Sequence, residues 1–121
     1  TAKYLEWGGV NMDDSWGFEK ARPGWPMPIH QLLVANNVTA FFHGHDHLYA
    51  KEDLDGIVYQ EGPMPGAQAA ARNNANAGNR YKYTGKVVGG TGYLRVRVSP
   101  DDVKVDYVQT WLPSQETSSE R

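Results

Sequence analysis

The strongest constraint on the fold is a change of period in the first half of the chain. Pro26 and Pro28 lead into Ile29-His30-Gln31-Leu32-Leu33-Val34-Ala35-Asn36-Asn37, and Val38 to Phe42 follows without a spacer. Proline gives up no needed amide hydrogen in a first helical turn, and asparagine tolerates the left-handed conformation that stops a helix. Val38 to Phe42 is β-branched and aromatic and of strand length. The spacing therefore predicts a helix over 29–37 and a strand over 38–42. A strand fed directly by a helix suggests an α/β layer, in which binding groups gather at the C-terminal ends of strands.

At that end stands His43-Gly44-His45-Asp46-His47, with three of the chain's four histidines at alternating positions. If the backbone stays extended, side chains at i and i+2 share a face, with a rise of about 3.3 Å per residue. His45 and His47 are then expected to reach one small volume. Neutral imidazole is the commonest transition-metal ligand, so these two are the candidate metal ligands. His43 still belongs to the strand and is a candidate to support a ligand or to line the substrate rim. Gly44 lets the backbone approach closely. Asp46 would point to the opposite face and reads as a turn former at the rim. Tyr49 either lines the site or packs. His30, inside the helix pattern, is given a structural role.

The remaining elements follow from alternation and turn chemistry. Lys3 to Gly24 has no clear period and reads as irregular after a possible short helical start. Residues 49–54 and 57–60 flank Asp55-Gly56, a dipeptide suited to a tight hairpin. The stretch 61–81 has no period that would bury a face and reads as a long loop beside the site, placed to govern substrate access. Residues 93–98 and 103–107 alternate on either side of Ser99-Pro100-Asp101-Asp102, which predicts a second hairpin. The fold class is thus α/β or α+β with two β-hairpins. Residues 1–112 form part of one domain, and 113–121 are a polar tail.

Charge and composition exclude several functions. Twelve basic and fourteen acidic residues give a net charge of -2 with no basic stripe, so binding to a nucleic-acid backbone is not expected. No apolar run approaches the roughly 20 residues of a membrane span. Without cysteine, only His, Asp, Glu and Asn remain as metal ligands. The chain reads as soluble, and its compartment stays open: cytoplasmic, or secreted or periplasmic in a bacterium. Thr1 is not an initiator methionine, so the chain is expected to begin downstream of something.

Gly44-His45-Asp46-His47 after the strand 39–43 resembles the last metal-binding motif, Gly-His-x-His, of the calcineurin-like metallophosphoesterases. The runs Tyr4-Leu5-Glu6-Trp7-Gly8-Gly9, Arg22-Pro23-Gly24-Trp25, Pro28-Ile29-His30-Gln31 and Leu54-Asp55-Gly56-Ile57-Val58-Tyr59-Gln60 are similar to the C-terminal half of a bacterial branch of that family. Tyr49 is similar to the tyrosine that follows the motif in the purple acid phosphatase branch, although Ala50 and Lys51 replace the acidic and arginine residues usual there. The resemblance implies a pair of mixed β-sheets flanked by helices, of which this chain supplies the C-terminal half. It implies a phosphoester substrate and two divalent or trivalent transition-metal ions, Mn, Fe or Zn. His45 would bind the second ion and His47 the first, with a hydroxide between them attacking phosphorus in line. The family's earlier motifs, Asp-x-His, Gly-Asp-x-x-Asp, Gly-Asn-His and a further histidine, have no counterpart upstream. They would belong to a missing N-terminal portion of the same domain. No complete catalytic set is therefore expected in this chain, and activity of the chain alone is not expected.

Two other functions compete. His45-x-His47 followed by Glu52 has the form of a first cupin motif, which would give a mononuclear two-His-plus-carboxylate site in a barrel. Alternatively Trp7, Trp16, Trp25 and Trp111 would form the aromatic surface of a non-catalytic β-rich binding module, for which clustered exposed tryptophans are the discriminating feature.

Overall fold

The computed structural model describes residues 2–66, 85–111 and 113. They form α1 (Leu5–Gly8), α2 (Phe18–Ala21), α3 (Ile29–Ala35), β1 (Ala40–His43), β2 (Tyr49–Leu54), β3 (Ile57–Glu61), β4 (Lys86–Val88), β5 (Thr91–Val98) and β6 (Val103–Thr110). The architecture is α+β, with a four-stranded sheet in the order β1-β3-β2-β4 and a two-stranded sheet β5-β6, both open.

Local chemistry explains the element ends. α3 starts directly after Pro28 and stops at Ala35, where the Asn36 side chain donates to the Leu32 carbonyl at 2.8 Å and Asn37 takes φ +55°. The left-handed stop thus falls on the second asparagine. β1 begins at Ala40, two residues later than the sequence predicts, and runs to His43. β2 and β3 are joined by Asp55 and Gly56 at φ +46° and +80°, the paired positive values of a hairpin turn whose twist matches that of its strands. β5 and β6 pair from Thr91↔Thr110 to Val98↔Val103, and the Ser99 hydroxyl caps their turn by accepting the Asp101 and Asp102 amides.

Three features depart from the sequence reading. The segment after the short helical start, which is α1, is not wholly irregular, because α2 contributes a further helical turn. Glu61, read as the first loop residue, is the last residue of β3. β4 is paired with β2 through only three residues, too few to show a period. The long loop beyond residue 66 and the polar tail beyond Pro113 lie outside the described residues.

Register assigns the faces of the larger sheet. β1 runs parallel to β3 with Phe41↔Tyr59 and His43↔Glu61, and β2 runs antiparallel to it with Ala50↔Glu61 and Glu52↔Tyr59. Partners in register share a face, so Phe41, His43, Tyr59, Glu61, Ala50 and Glu52 lie on one side. The N-terminal segment covers that side. Trp7 packs edge-on against Phe41 and Tyr59, at 5.2 and 6.4 Å between ring centroids, in a core with Ala2 and Ile57. His30 is buried in the same layer, with Nδ1 2.6 Å from the Tyr59 hydroxyl and Nε2 2.9 Å from an Asp55 carboxylate oxygen. It ties α3 to the hairpin turn, the structural role expected of it. On the opposite side Tyr49 stacks on Tyr107 of β6 at 4.6 Å, which joins the two sheets.

Candidate functional site

β1 ends at His43, and the chain then leaves strand geometry. His45 has φ +122° and His47 φ +57°. The premise that these side chains share a face because the backbone is extended is therefore corrected: His45 to Leu48 forms a run of bends, and period-2 alternation does not apply. His45 projects outward, with 94% of its side chain exposed, and His47 is exposed on the same loop. His43, Gly44, His45 and Asp46 line a cleft of about 590 Å³, whose boundary does not include His47.

The cleft sits between the covered face of the larger sheet and α1. Glu52, Tyr59 and Glu61 reach it from β2 and β3, Glu6 and Trp7 from α1, and Leu48, Ala50 and Val87 add apolar wall. Glu61 is 3% exposed, and burial pushes its carboxyl above the usual glutamate range. Its Oε1 accepts the Asp46 amide hydrogen at 2.7 Å, and its Oε2 lies 4.0 Å from His43 Nδ1. Burial lowers the His43 pKa, which favours a neutral ring. His45 behaves oppositely: the hydrogen bond from its Nδ1 to the Asp46 carboxylate at 3.1 Å raises its pKa. In the neutral tautomer that bond fixes the proton on Nδ1 and leaves the Nε2 lone pair as the ligating atom.

Asp46 is thus more than a turn former, since its amide is anchored below and its carboxylate orients an imidazole. Tyr49 has the packing role of its two alternatives. It alternates with Ala50 and Glu52 along β2, so it faces Tyr107 and not the cleft. Glu52 and Glu61 are site residues that the sequence reading missed as a pair. The signal was present for Glu61, which stands two residues after Tyr59 and four after Ile57 on one face of a strand.

The imidazoles of His45 and His47 fit a transition-metal ion by donor chemistry. Among the described residues, no set of three His, Asp or Glu side chains converges to hold one. The alternatives fit less well. Glu52 is buried and accepts the Ala2 amide at 2.9 Å, and the two sheets are open rather than closed into a cupin barrel. Of the four tryptophans, Trp7 packs against the core and Trp111 is half-buried, whereas Trp16, which bonds Glu19, and Trp25, against the Arg22 guanidinium, are each 50% exposed.

No family model, curated protein or solved structure matches this chain.

Proposed function

We propose that this chain is the histidine-bearing C-terminal portion of a metal-dependent phosphoester hydrolase of the calcineurin-like type, supplying His45 and His47 to a centre completed by the rest of the same domain. The observation that carries the reading is the position of Gly44-His45-Asp46-His47 at the C-terminal end of β1, where Gly44, His45 and Asp46 line the cleft and His47 is exposed on the same loop. Such strand ends are where α/β layers hold their reactive groups.

Electrostatics support a cation-dependent site. Among the described residues, Glu6, Asp46, Glu52 and Glu61 line the cleft and no Lys or Arg does. A phosphoester anion entering the bare cleft would meet carboxylates, so its binding needs compensating cations. Bound transition-metal ions, Mn, Fe or Zn, would supply charge neutralisation at the phosphoryl oxygens. The chain's own residues orient the ligands and shape the pocket: Asp46 holds the His45 ring by Nδ1, His43 and Glu61 support the loop, and Trp7, Leu48 and Val87 offer apolar wall to the organic part of a substrate.

Calorimetry with inorganic phosphate, with and without Mn²⁺, tests the reading. The expected result is weak phosphate binding, in keeping with a half-site, that requires Mn²⁺ and is lost in His45→Ala and His47→Ala. Binding of phosphate without metal, or metal-dependent binding indifferent to both histidines, would refute it.

A further inference from the structure

The histidine loop carries a contradiction that its own residues do not resolve. His45 and His47 both sit at positive φ, flanking Asp46, and L-residues hold such conformations only when neighbouring groups impose them. The buried group that meets the loop between them is Glu61. Its Oε1 takes the Asp46 amide at 2.7 Å, between the two strained residues, while its own backbone is fixed on both sides. Glu61 stands opposite His43 on β1 and Ala50 on β2, and the amide of the next residue, Gly62, donates to the His43 carbonyl at 2.8 Å. The carboxylate therefore rises from the middle of a paired sheet into the base of the loop, and it is buried there.

We propose that Glu61 is the positioning residue of the histidine loop, holding His45 and His47 in their presenting conformation through the Asp46 amide and not by touching an ion or substrate. This rests on the reading of those histidines as ligands. The role depends on reach and on an acceptor oxygen, not on charge. Glutamine keeps both, whereas aspartate keeps the charge and loses a methylene of reach.

The test uses the whole chain without metal for one readout and with Zn²⁺ for the other. Hydrogen exchange at the Asp46 amide, followed by NMR, should stay near wild type in Glu61→Gln and accelerate roughly ten-fold or more in Glu61→Asp, as expected when a buried hydrogen bond is lost for want of reach. Zn²⁺ affinity should follow the same order, with Glu61→Asp weaker by about 10- to 100-fold, the usual effect of losing a group that orients ligands. Wild-type exchange in Glu61→Asp overturns the proposal. So does the reverse order, with Glu61→Gln impaired and Glu61→Asp intact, because the charge would then act directly. A wild-type chain that binds no Zn²⁺ removes the ligand reading alone, and Asp46 exchange still decides whether Glu61 clamps the loop.

Discussion

His45 at φ +122° and His47 at φ +57° hold backbone conformations that cost about 1–3 kcal/mol each when the residue is not glycine. That cost separates two ways of removing the His45 imidazole. His45→Gly and His45→Ala lose the same side chain, but only glycine relaxes at this φ. His45→Gly should therefore be more stable than His45→Ala by about 1 kcal/mol in urea unfolding. Equal stability would mean that the loop holds no strain at this position. At this scale the sequence was informative about chemistry and silent about geometry. The imidazoles could be read directly, because residue type decides what can ligate, whereas the close backbone approach expected at Gly44 is corrected: a Cβ there would meet nothing within 4 Å, and its φ is not positive. The exit from strand geometry could not, because it depends on Glu61, fifteen residues away, reaching the Asp46 amide. Tyr49 was ambiguous for a similar reason, since its partner Tyr107 belongs to the other sheet.

Elements governed by local rules were legible. The β2–β3 turn follows from Asp55-Gly56, the α3 stop from two asparagines, and the β5–β6 pairing from uninterrupted alternation. β4 was not, because a three-residue strand is defined by its partner β2 rather than by any pattern of its own. The single turn α2 is likewise too short for a helical period, whereas the short helical start is met by α1, which Trp7 fixes by packing on Phe41 and Tyr59. Within the β5–β6 hairpin, Asp106 accepts hydrogen bonds from Arg95 and Arg97, and the bond from Arg95 is the leading cause of a pKa below its ordinary 3.8. A carboxylate whose pKa is lower in the folded state binds fewer protons there than when unfolded. Its contribution is thus present above the ordinary aspartate value and is lost as pH falls through the depressed one. Amide protection, taken relative to the intrinsic exchange rate at each pH, should fall in acid across Arg95 to Asp106 in the wild type, and Asp106→Asn should flatten that dependence below pH 3.8. An unchanged acid profile in the variant would show that the cross-strand pairs do not stabilise the hairpin.

At the scale of the molecule, two open sheets meet through the Tyr49–Tyr107 stack, and the N-terminal segment closes over one face of the larger sheet to form the cleft. The fold class could be read from the order of elements, since a helix feeding a strand followed by hairpins leaves few layered arrangements. The cleft could not, because its walls come from residues 2–7, 43–61 and 87, brought together only by packing. His45 and His47 gain significance in that context. They stand where β1 hands the chain to a clamped turn, beside a cleft whose carboxylates favour cations. The most direct measurement is the imidazole ¹⁵N spectrum of the chain at pH 7 during a Zn²⁺ titration. The nitrogens of His45 and His47 should shift together at one stoichiometric point, while those of His30, both engaged by Tyr59 and Asp55, stay fixed. Unmoved His45 and His47 resonances at saturating Zn²⁺ would contradict the account.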